Sequence, residues 1–271
     1  MSKTDTDTRL KKRASPSVPD NADGVRSRVG RRPKAAGDSN SAGLTREAIV
    51  AHALALAQDE PVSEITTARL ARDLGVAPGL IYYFMGSRDD LLSAVFNEAL
   101  KRRVEQYPEL TGDWRRDMEA LLAQTLRFQL QWKGITTYVA TNNRHRLFQR
   151  VEPGQTDYGL VFFDRLGRIL KNGGFDPERA AMAYHLLMLF MTSVANAQVQ
   201  RQEPAQHQAY LLEHLSMFNV ADYPGAYFLM PAFARLTTDA TVEEGLRLLL
   251  DHIETWRPAA NPHVHSSVPA P

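Results

Sequence analysis

The residues that best indicate a function lie between Ile65 and Arg88, where two short helical patterns stand on either side of Gly75. A rigid pair of helices joined by a glycine turn can present its second helix to the major groove of DNA, where side chains contact phosphates and base edges. The chemistry indicated is therefore binding of a nucleic acid. The spacing by itself is equally compatible with an ordinary helical hairpin.

Small and apolar residues at the centre of this segment favour the DNA-binding arrangement. The first helix ends at Leu74 and the second covers about residues 78–84. Ala71 is small where the two helices are expected to cross, and Val76 is apolar enough to anchor the turn. Both helices are too short to be stable alone, so they must pack against longer neighbours.

Helical periodicity dominates the chain between two polar tails, and no stretch shows convincing strand alternation, so the predicted fold class is all-α. Thr45 can cap a first helix that ends before Pro61, and Ser87 with Asp90 three residues later begins a fourth. Further helices are predicted at 113–133, 135–149, 156–171, 177–199, 205–218, 224–236 and 241–257.

Composition and charge restrict the classes of protein to which the chain can belong. Of its 271 residues 44% are apolar, which suffices for a buried core. Residues 1–42 carry a net charge of +5 and the remainder −4, and a basic arm of this kind favours a polyanionic partner. A solvated tail without a partner would have the same composition. Because the chain has no cysteine, disulfides, thiolate metal sites and a cysteine nucleophile are excluded.

No enzyme activity, cofactor or metal site is predicted. The sequence holds no nucleophile elbow, phosphate loop, metal-ligand spacing or pair of carboxylates with a catalytic role. Its polar N-terminus lacks the apolar stretch of a signal peptide, which favours a cytoplasmic protein. Residues 180–197 carry no formal charge, but we interpret them as a buried helix and expect no membrane partner.

The order of residues in the segment that begins at Ile65 resembles the tetracycline-repressor (TetR) family of transcriptional regulators. The shared features are a Thr-Thr pair, then Leu-Ala, Leu-Gly-Val and Pro-Gly, a Tyr four positions after that Pro, and Ser-Arg-Asp-Asp-Leu-Leu. The similarity is detailed over residues 44–104 and looser up to about residue 257. It implies a homodimer in which each subunit offers one helix-turn-helix to double-stranded operator DNA and binds a small-molecule effector in its C-terminal domain.

Composition predicts the two terminal segments of the chain, and the resemblance implies the two domains between them, which gives four segments. They are a disordered basic arm at 1–42, a three-helix DNA-binding domain at 43–104, a larger helical regulatory and dimerisation domain at 105–257, and a disordered tail at 258–271.

The resemblance also assigns roles to individual residues of the helix-turn-helix. Positions that face base edges are held by Ala77, Pro78, Gly79 and Tyr82, and positions that touch phosphates by Thr67, Tyr83 and Arg88. Hydroxyl and guanidinium groups bond phosphate oxygens, and small apolar groups can lie against a thymine methyl. Two positions depart from the family pattern. Phe84 stands where His is common, which removes one phosphate contact, and Met85 stands where Phe is common and can still fill the core.

The basic arm contains a second candidate DNA contact, the segment Gly30-Arg31-Arg32-Pro33-Lys34. It resembles the Gly-Arg-Pro element of AT-hooks, with one extra Arg. An extended segment with Arg31, Arg32 and Lys34 between Gly and Pro can enter a narrow, A·T-rich minor groove. A nonspecific basic tail is an equal alternative.

Two helices of the C-terminal half carry more apolar surface than one core requires. The 177–199 helix is apolar on nearly all sides, and the 241–257 helix has a leucine-rich stripe. Together they can form a four-helix bundle across a two-fold axis, although both can also be simple core helices. The residues predicted for the dimer interface are Met191, Ala195, Leu246, Leu249, Leu250 and Ile253.

Aromatic and methionine residues between these helices and the DNA-binding part mostly build cores, but the resemblance implies that the same helices surround an effector pocket within each subunit. The predicted lining residues are Trp132, Tyr138, Phe162, Phe163, Tyr184, His185 and Met188. Because they include no cluster of charges, we expect an apolar or aromatic effector that releases a repressor from its operator. Two alternatives remain: His185 can be an ordinary core residue, and the C-terminal domain can serve dimerisation alone in a ligand-independent regulator.

Overall fold

The computed structural model describes residues 43–142 and 150–258, and in these residues every regular element is a helix. The predicted all-α fold class is therefore confirmed. All the described residues belong to one compact unit. Predictions that fall on residues 1–42, 143–149 and 259–271, among them the basic arm with Arg31, Arg32 and Lys34, lie outside the described residues.

Four helices form the N-terminal part, which we call the head. They are α1 (Arg46–Leu56), α2 (Thr67–Asp73), α3 (Pro78–Met85) and α4 (Arg88–Val104). The side chains of Thr45, Thr66 and Ser87 each accept a hydrogen bond from a backbone N–H in the first turn of the helix that follows. Ser87 and Asp90 form the predicted capping box in both directions. Such caps satisfy N–H groups that have no partner within the helix.

Within residues 105–142 and 150–258 the structure has seven further helices, which form the C-terminal part. They are α5 (Trp114–Gln131), α6 (Lys133–Asn142), α7 (Tyr158–Asn172), α8 (Pro177–Val199), α9 (Gln208–Ser216), α10 (Pro224–Phe233) and α11 (Thr238–Glu254). The segment predicted as one helix at 205–218 instead contains a 3-10 turn, Pro204–His207, before α9. The last helix begins earlier than predicted, because Thr237 caps it by accepting a hydrogen bond from the Ala240 N–H.

Two apolar clusters hold these helices together. The first joins α1–α4 to the end of α5 and the start of α6, through Phe128, Trp132 and Ile135. The second lies among α5, α7, α8 and α11, around Leu122 and Leu187. Because the first cluster includes residues of α5 and α6, the head rests directly on the C-terminal helices.

The hydropathy of α8 has a structural explanation. A segment that begins at Pro177 is long and apolar enough to cross a membrane by length and composition, the one such segment in the described part of the chain. Six residues of α8 are buried in the protein, among them Ala183, Leu187 and Met191. These residues account for one part of its apolar surface only: the helix that the sequence predicted to be buried leaves Met182 and Leu189 at least 50% exposed.

Candidate DNA-binding surface and effector cavity

The turn between α2 and α3 fixes the angle at which α3 is presented. Gly75 has a φ of 69°, a left-handed conformation that glycine adopts without strain. Across the turn the Val76 N–H donates to the Ala71 carbonyl over 2.9 Å. Leu70 and Ala71 of α2 and Ile81 of α3 are each no more than 1% exposed. Their apolar contact holds α3 against α2 and leaves the opposite face of α3 in solvent.

The solvent face of α3 has the properties of a surface that binds DNA. Tyr82 is 52% exposed and Tyr83 81%. Ala77, Pro78 and Gly79 are exposed at the N-terminus of the helix, where no side chain forms a capping hydrogen bond. The N-terminus of a helix attracts anions such as phosphate, and tyrosine hydroxyls can donate to phosphates or base edges.

Thr67 lies behind Tyr82 instead of beside it on the surface. Thr67 is 8% exposed, and its Oγ1 donates to Tyr82 Oη over 3.0 Å. This bond crosses from α2 to α3 and restricts the orientation of the Tyr82 ring. Arg88 is exposed, and its Nη2 donates to the Ser63 carbonyl over 2.9 Å, so the guanidinium lies against the turn that precedes α2.

Charged side chains brace α2 against its neighbours. Arg69 Nη2 donates to Glu60 Oε1 over 2.9 Å, and Arg69 Nε lies 3.5 Å from Asp73 Oδ2. His52 of α1 also lies 3.5 Å from Asp73 Oδ2. The hydrogen bond from Arg69 holds the pKa of the Glu60 carboxyl below its ordinary value. Because these groups are at the surface, they orient α2 more than they stabilise it.

The N-terminus of α6 is joined to the loop that follows α1. The N–H groups of Lys133 and Gly134 donate to two carbonyls of residues 57–60, each over 3.1 Å. A Cβ atom added at Gly134 would lie 1.8 Å from the Glu60 carbonyl oxygen, so the approach requires glycine. Since the Glu60 side chain binds Arg69 of α2, one short loop connects α6 to the DNA-facing helices.

A small cavity of about 30 Å³ with an open mouth lies between α4, α5, α6 and α8. The rings of Phe96 and Phe128 and the aliphatic side chains of Leu100, Ile135 and Val139 form most of its wall. Its polar members are Arg103, Gln129, Thr136 and Thr192. A concave, mostly apolar space with a few polar groups is typical of a site for a small organic ligand.

Three of the polar side chains in the cavity wall are deeply buried, Thr136 at 3% exposed and the two that follow. Arg103 is 1% exposed, donates to Tyr107 Oη and Thr125 Oγ1, and places its guanidinium carbon 3.8 Å from the centre of the Phe162 ring. Gln129 is 6% exposed, and within the described part of the chain its Oε1 has no hydrogen-bond partner. Sequence reasoning missed both, because one Arg or Gln in a helical pattern gives no signal by its spacing.

Two family models cover most of the chain. Residues 49–95 match the model described as "Bacterial regulatory proteins, tetR family", and residues 108–257 match "Tetracyclin repressor-like, C-terminal domain". The chain belongs to the TetR family of bacterial transcription regulators. The resemblance drawn from residues 65–88 is thereby confirmed, and the matching families and relatives are regulators, not enzymes.

Individual TetR-family proteins share the fold or part of the sequence. The ActR protein of Streptomyces coelicolor, solved in complex with actinorhodin, is 26% identical with a TM-score of 0.67, over 81% of this chain and all of that one. Apo ActR is 25% identical with a TM-score of 0.64, over 79% of this chain and 96% of that one. The HTH-type transcriptional repressor Rv1353c of Mycobacterium tuberculosis is 34% identical over 73 residues, 27% of this chain and 28% of that protein. The match to this curated relative thus spans less than a third of its length.

In this TetR-family chain the seven residues predicted for the effector pocket do not gather around one cavity. Trp132 and Tyr138 pack in the core that the head shares with α5 and α6, and Phe162 and Met188 are buried in the second core. Phe163 meets Tyr184 edge to face, with ring centres 4.9 Å apart, and His185 is exposed. None of the seven is among the lining residues of the cavity described above. The cavity is lined from α4, α5, α6 and α8, whereas Phe162 and Phe163 lie on α7.

The six residues predicted for the dimer interface lie mostly inside the protomer. Met191, Ala195, Leu250 and Ile253 are no more than 1% exposed, and Leu246 and Leu249 are partly buried against the second core. The apolar surface that α8 and α11 leave exposed therefore comes from other residues. Met182, Leu189 and Leu248 are each at least 50% exposed on these two helices.

Helices α9 and α10 with their connecting loop, residues 208–233, form a hairpin. From here on 'the arm' means this hairpin and not the basic segment 1–42. Its base is closed by hydrogen bonds from the Ala205 N–H to the Leu236 carbonyl and from the Thr238 N–H to Glu203 Oε1. The exposed large apolar residues of the arm are Tyr210, Met217, Phe218, Val220, Tyr223, Phe228, Leu229 and Phe233. An apolar surface of this extent is typical of a site that binds another protein.

Proposed function

We propose that the protein is a homodimeric repressor that leaves its operator when a small apolar or aromatic effector occupies the cavity. One observation carries this proposal. Helix α4 begins at Arg88, beside the DNA-facing helices, and toward its other end supplies Phe96, Leu100 and Arg103 to the cavity wall. A ligand that binds one position of α4 better than another must also favour one position of the head.

On the DNA side we expect contacts from the exposed end of α3 and from the start of α4. Ala77, Pro78, Gly79 and Tyr82 would face base edges, and Tyr83 and Arg88 would contact phosphates. Thr67 has a different role in this proposal. Its hydroxyl donates a hydrogen bond to Tyr82 Oη and so orients the tyrosine. Minor-groove contacts by Arg31, Arg32 and Lys34 stay a prediction.

The differential binding free energy that the switch requires can come from a small aromatic ligand. Two heads must be about 34–36 Å apart to fit successive major grooves, so a small pivot of either head misplaces it. About 5.5 kcal/mol of differential affinity moves a population from 1:99 to 99:1. At about 25 cal/mol per Å² of apolar surface, this energy corresponds to roughly 220 Å² that the ligand buries in one position of the head and not in the other. A compound of two or three fused rings has enough surface, and ActR bound to actinorhodin supports a small-molecule effector in this fold.

The proposed dimer seam combines the exposed apolar residues of α8 and α11 with the arm. Met182, Leu189 and Leu248 supply the centre, and Phe228 of the arm, which is 86% exposed, reaches the second copy. This seam replaces the one that the sequence predicted, because most of those residues are already packed within the protomer. A regulator of this kind would act in the cytoplasm, where its DNA lies.

Release from DNA by aromatic compounds tests the proposal. Binding to the DNA upstream of the gene is measured by fluorescence anisotropy while a set of fused-ring compounds is titrated. Val139→Phe fills the cavity from its half-buried wall and should abolish release without lowering DNA affinity. Gln131→Phe, at an exposed position of α5, is the matched control and should respond like the wild type. Compounds that bind the cavity without changing DNA affinity would show the alternative, a ligand-independent dimeric regulator.

A further inference from the structure

Among the residues that line the cavity, Gln129 has a side-chain amide whose hydrogen bonding the neighbouring residues do not complete. Gln129 lies on α5, lines the cavity and is 6% exposed. Within the residues that the structure describes, its Oε1 has no hydrogen-bond partner. A buried polar atom without a partner destabilises the folded protein, so the amide needs a partner, which a water or a ligand in the cavity can supply.

Two of the neighbouring polar groups, Thr136 and Arg103, already have other partners. Thr136 Oγ1 donates over 2.6 Å to the backbone carbonyl of Gln129, so its one proton is not available to the side chain. The Arg103 guanidinium donates to Tyr107 and Thr125. Among the described lining residues there is one cationic side chain and no carboxylate, which disfavours a positively charged ligand.

The geometry points to an effector that carries a hydroxyl group on an aromatic ring, placed so that the hydroxyl bonds the Gln129 side-chain amide. This inference rests on the proposed effector role of the cavity and specifies the chemical class of the ligand. The rings of Phe96 and Phe128 in the wall suit an aromatic ring. A hydroxyl both donates and accepts, so it satisfies the amide whether Oε1 or Nε2 faces the ligand. An ether or a hydrocarbon cannot donate to Oε1.

Three compounds with one ring system test the role of the hydroxyl: 2-naphthol, 2-methoxynaphthalene and 2-methylnaphthalene. Their dissociation constants for the full chain are measured by calorimetry in the absence of DNA. We expect 2-naphthol to bind about 5- to 150-fold more tightly than the other two, the range that an unsatisfied buried polar group implies. Gln129→Leu, which keeps the size of the side chain, should remove this difference and leave the protein folded.

Gln124→Leu is the matched control. Gln124 lies on the same helix and is 7% exposed, but its amide is already bonded to Gln106 and Arg127, and it does not line the cavity. This variant should keep the preference for 2-naphthol. Equal affinities in the wild type, a preference that persists in Gln129→Leu, or no binding of any of the three would overturn the inference. A preference for 2-naphthol without release of operator DNA would instead refute the proposed effector role and leave the inference standing.

Discussion

Two pairs of short helices, α2–α3 in the head and α9–α10 in the arm, pack in opposite ways. The first pair places Leu70, Ala71, Ile81 and Met85 in the core of the head. In the second pair only Leu215 is buried, and no residue of α10 is. Instead Tyr227 Oη donates to the Leu215 and Phe218 carbonyls and ties α10 to α9.

The difference indicates whether each pair of helices needs further packing from a second chain. A helix of seven to ten residues is unstable alone and needs tertiary packing. The pair α2–α3 finds that packing within one chain, in a core shared with the end of α5 and the start of α6. Its exposed large apolar residues are Tyr82 and Tyr83, whose hydroxyl groups suit a polyanion. The arm exposes Phe228 and Leu229, which have no polar group. We infer that the head is fully packed in one chain, whereas the arm is covered by a second copy.

The largest effect should come from the core of the head. Ile81→Ala removes a side chain with no exposed surface and should lower the free energy of unfolding by about 2–5 kcal/mol. Tyr83→Ala, on the same helix but 81% exposed, should change stability by less than about 0.5 kcal/mol while weakening DNA binding. Urea unfolding measures both, and similar losses in the two variants would contradict the packing described for α3.

A pair of glycine substitutions compares the tight contact between α6 and the 57–60 loop with the exposed helix α10 of the arm. Gly134→Ala places a Cβ atom 1.8 Å from a backbone oxygen and should cost about 3 kcal/mol, since the backbone itself must move. Gly225→Ala in α10 meets no atom within 4 Å and should stabilise the protein by about 0.5 kcal/mol. Thermal unfolding of both variants checks the opposite signs. A stabilising Gly134→Ala would mean that α6 does not contact the 57–60 loop in solution.

The arm should matter for dimerisation. Replacing Phe228 and Leu229 by Ser should raise the dimer dissociation constant at least tenfold, about 1.4 kcal/mol, because both side chains are exposed in one chain and covered in the proposed dimer. Leu160→Ser removes an exposed leucine from α7, outside the arm, and serves as the control. Analytical ultracentrifugation across a concentration series gives the constants. If the arm variant and the control both dimerise like the wild type, the arm does not belong to the seam.

The smallest effect concerns the support of Tyr82. Thr67→Val removes the hydroxyl that bonds Tyr82 Oη and should weaken specific operator binding by about 0.5–1.5 kcal/mol. In a Tyr82→Phe background the same substitution should have no further effect, since the bond is already lost. Anisotropy titrations with operator and random DNA measure the coupling. An equal loss on both DNAs, independent of Tyr82, would indicate that Thr67 contacts a phosphate directly.

Local signals in the sequence are sufficient to predict the helices and turns of the head. The glycine turn at Gly75, the capping box of Ser87 and Asp90, and the small Ala71 at the helix contact all act within a few residues, and the structure has each of them. Met85 is buried, as expected for a residue that fills the position of a phenylalanine. The order of these residues along the chain is also enough to identify the family.

The C-terminal part shows what the sequence determined and what only tertiary structure decided. Periodicity located α8 and α11 and showed that they are apolar, but it did not show that Met191 and Leu250 pack within the protomer while Leu189 and Leu248 face solvent. Nor did it indicate that Gln129 and Arg103, far apart in the chain, line one cavity. The physical reason is that a repeat of 3.6 residues reports which face of a helix avoids water. What covers that face depends on contacts between distant helices, and those are set only when the whole chain packs.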